Sequence, residues 1–232
     1  MKKAATLDWA AIGASLDQRG YAVAGPLLTA KDCAGLIAAY GDDARFRKRI
    51  VMQSHGYGRG EYKYFAYPLP PIIVALRTSL YPKLAEIANR WNVALGEDRR
   101  FPATHDQYIA RCHKAGQTRP TPLLLRYQTG DYNCLHQDLY GEHVFPLQLT
   151  ILLSDPAKDF TGGEFVLTEQ RPRMQSRVEV VRLGLGEAVI FPVRHRPVAG
   201  TRGVYRVTMR HGVSALRSGL RFTAGIIFHD AK

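Results

Sequence analysis

The chain has 232 residues, of which 46% are hydrophobic, so it is long enough to bury one sizeable core. None of its apolar runs reaches the roughly 18 residues that a membrane-spanning helix needs, which argues against an integral membrane protein. The three cysteines are odd in number and lack CxxC spacing, which argues against a disulfide framework or a zinc ribbon. We therefore expect a cytoplasmic protein without a membrane partner.

Positive charge is the strongest bias in the composition. Lys and Arg number 32 against 20 Asp and Glu, which gives a formal net charge of +12. Such a field favours anionic partners, including nucleic acids, acidic peptides and carboxylate metabolites. The basic clusters are spread through the chain instead of forming a tail, and occur at residues 45–49, 99–100, 171–177 and 194–210. We expect an anionic primary substrate of unknown identity and weak, non-specific binding of nucleic acid.

Two helices are predicted in the first half of the chain. Thr29 and Asp32 have the form of a capping box, and the apolar residues that follow repeat at helical spacing, which predicts a helix over about 30–41. A second apolar stripe runs over 80–95, where Pro82 is compatible only with a helix start or a break. Between these helices, residues 55–71 are rich in Gly, Tyr and Pro, which predicts an ordered loop or lid.

From Pro122 onward the hydrophobic period changes to two. The β-prone runs are short and separated by Gly, Pro, Asp or Asn; they span Leu123–Tyr127, Phe145–Leu153, Gly163–Thr168, Val178–Leu183, Glu187–Val193, Val204–Met209 and Leu220–His229. Strands at this spacing without intervening helices predict an antiparallel sandwich or jelly roll. We expect one domain over residues 1–232, with a helical annex and substrate lid in 1–120 and the jelly-roll core in 121–232.

His136 and Asp138 are the first candidates for a metal site. They lie two residues apart, so on an extended strand both side chains point to one face. Two imidazoles and one carboxylate suit Fe(II) with open positions, whereas zinc more often uses sulfur or a third histidine. An isolated His-x-Asp is more often a hydrogen-bonded surface pair. Cys134 is predicted on the same strand face, as a small buried residue. The further ligand is open among His143, His195, His211 and His229.

Arg221 and Thr223 alternate on the same face of the last predicted strand. A guanidinium group holds a carboxylate through two parallel charge-assisted hydrogen bonds, and a hydroxyl group two residues on adds a third. The pair therefore predicts an anchor for a carboxylate ligand.

The motifs occur in an order that resembles a known family. A strand tyrosine, a Gly130 turn and His136-Gln-Asp138 come first, followed by Thr161-Gly-Gly-Glu-Phe165, Gly186-Glu-Ala-Val-Ile-Phe-Pro192 and His211-Gly-Val213. Residues 121 to 229 thereby resemble the Fe(II)- and 2-oxoglutarate-dependent oxygenases of the prolyl-hydroxylase type. The resemblance implies a mainly β fold, a double-stranded β-helix (jelly roll) with N-terminal helices packed against it.

The resemblance also assigns roles to individual residues. The family places an arginine ten residues after its last metal ligand, and among the later histidines only His211 has one, Arg221. Fe(II) would be held by His136, Asp138 and His211, and the cosubstrate 2-oxoglutarate by Arg221, Thr223 and Tyr127. The implied enzyme is a dioxygenase that uses O₂ to hydroxylate its primary substrate, with lid candidates at 55–71 and 194–203.

The substrate class stays open at this level. The first expectation is a residue in a peptide or protein, which the matched strand pattern favours, and a nucleobase is the alternative. A methylated nucleobase, as in AlkB-type demethylases, is favoured by charge and by the mixed aromatic and basic residues of 57–65. Against it, AlkB-like chains carry a second arginine six residues after the first, where this chain has Ile227. A small metabolite, or a non-catalytic module that binds 2-oxoglutarate or nucleic acid, completes the alternatives.

Overall fold

The structure is a computed structural model, and it describes residues 6–139, 141–201 and 203–232. The helices are α1 (Trp9–Arg19), α2 (Ala30–Ala39), α3 (Pro71–Ala94) and α4 (His105–Lys114), and short 3₁₀ turns cover Asp43–Arg45 and Met52–His55. The strands are β1 (Ala22–Ala24), β2 (Phe46–Val51), β3 (Gly58–Arg59), β4 (Glu61–Phe65), β5 (Leu123–Gln128), β6 (Tyr132–His136), β7 (Leu147–Leu152), β8 (Phe160–Gly162), β9 (Phe165–Gln170), β10 (Arg177–Val181), β11 (Ala188–Pro192), β12 (His195–Gly200), β13 (Gly203–Val213) and β14 (Leu216–Ile226).

The strands form two antiparallel sheets that face each other. The large sheet has the order β1-β11-β7-β14-β5-β4-β2, with β8 paired to β14. The small sheet has the order β10-β9-β13-β6-β3, with β12 paired to β13. The non-sequential order means that successive strands cross between the sheets, as they do in a jelly roll. The predicted fold class is therefore confirmed.

The helices cover the outer face of the large sheet. α2 begins at the predicted capping box, in which the Thr29 side chain and the Asp32 side chain each accept the other's backbone N–H. α3 begins at Pro71 and runs without a break through Pro82, so the expectation that Pro82 lies at a helix start or a break is wrong. A proline inside a helix costs about 3 kcal/mol. Eleven residues of α3 are buried, and their packing offsets this cost.

Two apolar clusters hold the layers together. The larger one lies between the helices and the large sheet, where Leu80 and Leu84 of α3 are buried with Phe65, Leu124 and Phe222. The smaller one lies between the two sheets and comprises mainly Met52, Tyr127, Leu152, Phe160, Phe165, Leu167, Val189, Phe191 and Leu216. The smaller cluster does not fill the whole space between the sheets, and the remaining space is the pocket described below.

The two lid candidates have regular structure. Residues 55–71 contain β3 and β4, and β3 pairs with β6 of the small sheet while β4 pairs with β5 of the large sheet. Residues 194–203 contain β12, which forms a hairpin with β13 and contributes no side chain to the pocket between the sheets. Within the described part of the chain, no helix has the length and apolar character that crossing a membrane requires.

Candidate active site

The predicted metal ligands lie together at one end of the space between the sheets. His136 ends β6, and His211 of β13 is its direct cross-strand partner. Asp138 follows β6 and turns back, so that its Oδ1 lies 3.6 Å from His136 Nε2 and its Oδ2 lies 3.2 Å from His211 Nε2. One ligand atom from each residue lies within 4.8 Å of the others, a spacing that a single metal ion can bridge.

A β-bulge orients the side chains around this cluster. The register between β6 and β13 pairs His136 with His211 but Asn133 with Val213, so two residues of β6 face Gly212 alone. Asn133, not Cys134, therefore shares the pocket with His136, and the expectation that Cys134 is buried on that face is wrong. A Cβ atom on Gly212 would lie 2.6 Å from the Asn133 carbonyl oxygen, so only glycine fits opposite the bulge.

Neighbouring groups fix the orientation of each ligand. His136 Nδ1 lies 2.8 Å from the Cys134 carbonyl oxygen, which only accepts a hydrogen bond, so Nδ1 carries the proton and Nε2 offers its lone pair. Gln148 Nε2 donates to Asp138 Oδ2 at 2.7 Å. The His211 ring packs against Phe191, with ring centroids 4.6 Å apart.

The site's electrostatics favour cation binding. Burial raises the pKa of Asp138, but hydrogen bonding and charge from His211 outweigh it and hold that pKa well below its usual value. Burial, with the neighbouring His136, lowers the pKa of His211. Near pH 7 the carboxylate is ionised and the His211 imidazole is neutral, which are the states that bind a metal ion.

The other candidate histidines lie elsewhere and form no such cluster among the described residues. His195 is on β12, where it pairs with Thr208 in the middle of β13, away from His211. His229 is buried behind β14, where its Nδ1 accepts the backbone N–H of Phe145 at 3.2 Å. His211 alone of the later histidines reaches the His136 and Asp138 side chains.

Arg221 is buried in a way that calls for a ligand. Only 2% of its surface is exposed, yet Nε and Nη1 have no hydrogen-bond partner among the described residues. Burial lowers its pKa to about 10, so the guanidinium is still charged near neutral pH. Its cross-strand partner is Tyr127, whose ring centroid lies 5.6 Å from the guanidinium carbon. A buried, charged fork without a partner matches a carboxylate ligand.

The pocket beside the ligands has a volume of about 320 Å³. Thr223 and Tyr127 line it together with the metal ligands, while Arg221 lines an adjoining cavity that shares Phe165 with the pocket. Its remaining walls are mostly apolar and aromatic, from Tyr57, Tyr62, Leu123, Leu125, Leu139, Leu149, Val213 and Ile227. Asn133 and Gln148 also face it, and no sequence motif marked either residue.

The residues present fit the cofactors that the resemblance implies. Two imidazole nitrogens and one carboxylate on one side suit Fe(II), and the pocket leaves space on the other side. The unpartnered guanidinium of Arg221, with the Thr223 hydroxyl two residues along the strand, fits the far carboxylate of 2-oxoglutarate.

Comparison with known proteins supports an oxygenase. Residues 60–231 match the model of a family described as "Oxygenase, catalysing oxidative methylation of damaged DNA". Uncharacterised proteins from two strains of Mycobacterium tuberculosis are 50% identical over 190 residues, which is 80% of this chain and 82% of each relative.

Solved structures with the same fold include two prolyl hydroxylases. A prolyl-4-hydroxylase from Pseudomonas putida is 13% identical with a TM-score of 0.50, and the match covers 94% of this chain and 96% of that one. A Trichoplax adhaerens prolyl hydroxylase, in complex with a peptide of hypoxia inducible factor, is 11% identical with a TM-score of 0.56, over 94% and 86% of the chains. At these identities the likeness shows the fold alone.

Proposed function

The chain belongs to the oxygenase family whose model matches residues 60–231, and from that premise we propose that it oxidises a methyl group on a ring nitrogen of a damaged nucleobase. Hydroxylation of such a methyl group gives an N-hydroxymethyl base, which breaks down to formaldehyde and the unmethylated base. The reaction consumes O₂ and 2-oxoglutarate and releases succinate and CO₂. The proposed enzyme is thus a nucleobase demethylase.

Each site residue has a defined part in this proposal. His136, Asp138 and His211 would hold Fe(II), which when bound supplies the activation of O₂. Arg221 and Thr223 would hold the far carboxylate of 2-oxoglutarate, with Tyr127 beside them. The chain's own contribution is to fix these groups before the substrate arrives and to exclude bulk water from the pocket.

The main support for this proposal is the lining of the pocket. Its walls are apolar and aromatic, and Tyr62 and Leu125 are cross-strand partners on the wall beside Thr223. The flat faces of a planar base can pack against these aromatic and apolar walls, with its methyl group directed toward the metal ligands. Tyr57 also lines the pocket and is 48% exposed, and its ring stacks on that of His55 with centroids 5.3 Å apart. Exposed rings at a pocket mouth suit stacking on the next base.

Ile227, at the position where AlkB-like chains carry a second arginine, is buried and lines the pocket. The single guanidinium of Arg221 is then left to balance the far carboxylate of the cosubstrate. An apolar Ile227 adds to the surface that a base covers, so its presence is compatible with a nucleobase substrate.

The test supplies Fe(II), 2-oxoglutarate and O₂ with single-stranded oligonucleotides that carry 1-methyladenine or 3-methylcytosine. A mixture of proline-containing peptides is run in parallel. We expect formaldehyde and unmethylated base in proportion to succinate, measured by mass spectrometry, and no peptide gaining an oxygen atom. Peptide hydroxylation without base repair would contradict the proposal. Asp138→Ala serves as the inactive control.

A further inference from the structure

A basic edge of the large sheet lies in one row with residues of the pocket and has no part in the chemistry above. It consists of Arg47 and Lys48 on β2 and Arg119 just before β5, and is called the basic rim below. We propose that the basic rim binds the phosphates of single-stranded nucleic acid next to the base held in the pocket. This inference rests on the proposed function for its substrate, but the surface can be tested separately.

The register of the large sheet places the rim in line with the pocket. Gly225 pairs with Leu123, Leu123 with Tyr64, and Tyr64 with Lys48, so these four residues form one row across the sheet. Gly225 and Leu123 line the pocket. Neighbouring strands are about 4.8 Å apart, so Lys48 lies about 14 Å from the β14 end of this row. A strand whose base enters the pocket would carry its flanking phosphates past this edge.

Arg47 connects the parts of the rim. Its Nε donates to the Pro120 carbonyl oxygen at 2.8 Å, and its guanidinium carbon lies 4.5 Å from the centroid of the Tyr64 ring. The first contact holds Arg119, the neighbour of Pro120, next to β2. Arg119 is also fixed by a backbone pair of hydrogen bonds with Ala231, at 3.0 and 2.8 Å. Two segments distant in sequence thus contribute cations to one edge.

Two cations of the rim, Lys48 and Arg119, are available to an external anion. Lys48 and Arg119 are exposed, and neither has a carboxylate partner among the residues that the structure describes. Another basic group of the large sheet differs, because Arg49 and Arg126 both bind Glu61. Uncompensated surface cations in a chain of net charge +12 attract phosphate groups, with counterion release on binding.

A single strand fits this surface better than a duplex. His211, at the base of the pocket, is only 7% exposed, so a base must leave its stack to reach the ligands. A single strand does so at the lowest cost, and the exposed Tyr57 ring can stack on the neighbouring base.

The test measures binding of a fluorescent single-stranded oligonucleotide to the Mn(II)- and 2-oxoglutarate-loaded protein over a range of salt concentrations. Lys48→Ala, Arg119→Ala and the double variant are compared with Lys83→Ala. Lys83 is an exposed lysine on α3, paired with Glu86 at 3.0 Å, and controls for the loss of one charge. We expect the slope of log affinity against log salt to fall by about 0.7 for each lost phosphate contact, and no change in the control.

A second measurement distinguishes a loss of phosphate binding at the basic rim from a loss of catalytic activity. The double variant should keep the wild-type kcat and KM on free 3-methylcytidine, which has no phosphate, while its KM for the methylated oligonucleotide rises. An unchanged salt slope in the double variant would contradict phosphate binding by the basic rim. Tighter binding of duplex than of single strand would contradict the preference for a single strand. If no methylated base is oxidised but the slope falls as expected, the proposed function fails and the binding surface stands.

Discussion

Arg196 and Arg221 are both almost fully buried, at 1% and 2% exposure, yet their surroundings differ completely. Arg196 on β12 donates through Nε and Nη2 to Glu169, and through Nη1 to the Asp17 carbonyl oxygen at 2.7 Å. Arg221 on β14 has two guanidinium nitrogens without any partner among the described residues. One arginine joins α1 to the small sheet, and the other lines the cavity that adjoins the pocket of the metal ligands.

The difference shows how a buried charged side chain that stabilises the fold can be distinguished from one that binds a ligand. A buried charge is tolerated when hydrogen bonds and an opposite charge replace its water, as they do at Arg196. A buried charge that keeps unpartnered donors costs folding free energy, and the chain retains it where a ligand supplies the missing partner.

The largest effect is expected at the metal ligands. Asp138→Ala and His211→Ala should each lower Mn(II) affinity by more than about 100-fold, because losses in the surrounding shell alone cost roughly 10- to 100-fold. Calorimetric titration with Mn(II) measures this. His195→Ala is the matched control and should bind Mn(II) as the wild type does. Retained metal in His211→Ala together with loss in His195→Ala would reverse the assignment.

Arg221→Ala tests the unpartnered side of the comparison. We expect 2-oxoglutarate affinity to fall by about 2 to 5 kcal/mol, or roughly 30-fold to several thousandfold, with Mn(II) affinity unchanged. Arg221→Lys should recover only part of the loss, because an ammonium group lacks the planar fork. The free energy of unfolding without ligand should not decrease, since no partner is left unpaired. Unchanged 2-oxoglutarate affinity in calorimetry would end this role for Arg221.

Arg196→Met tests the partnered side. Removing one member of a buried ion pair leaves the other charge uncompensated and costs about 3 kcal/mol, at the lower end of the usual range because Arg171 still binds Glu169 at 2.7 Å. Urea denaturation should show this loss, while 2-oxoglutarate affinity stays at the wild-type value. A stability loss in Arg221→Ala that equals the loss in Arg196→Met would remove the distinction between the two arginines.

The smallest effect is expected at Gln148, which holds Asp138 but is predicted not to bind metal itself. Gln148→Leu keeps most of the volume and removes the 2.7 Å hydrogen bond. Mn(II) affinity should fall about tenfold, as is usual for groups that orient a ligand. A loss as large as that of Asp138→Ala would instead identify Gln148 as a ligand, and Gln137→Leu serves as the neighbouring control.

The sequence predicted the features that long patterns of residues encode. The jelly roll, the oxygenase class and the cofactors Fe(II), O₂ and 2-oxoglutarate are confirmed, because alternating strands and several ordered motifs carry each of them. His136, Asp138 and His211 meet in space as expected, and their role as ligands stays a prediction. The choice of His211 needed the family spacing to Arg221, since four histidines satisfied the residue chemistry.

The structural features that the sequence did not predict depend on single contacts. The bulge that places Asn133 beside His136 arises from a register shift opposite Gly212, which strict alternation cannot show. Gln148 contacts Asp138 across two strands, and an isolated glutamine in an apolar strand carries no motif. Pro82 was expected at a helix start or a break, whereas tertiary packing keeps the helix continuous through it. Short N-terminal strands such as β3 and β4 lie in a Gly-rich segment that is typical of loops.

The pairing of β3 and β4 with different sheets gives the pocket a fixed aperture. The Tyr57 carbonyl oxygen accepts the N–H of Cys134 at 2.9 Å, and the Gly60 carbonyl oxygen accepts that of Met52 at 3.0 Å. Moving this segment aside breaks such bonds on both sheets at once, so it does not swing like a hinged flap. A substrate therefore meets an opening of constant shape, and the amide hydrogens of Cys134 and Met52 should exchange slowly with solvent whether or not cosubstrate is bound.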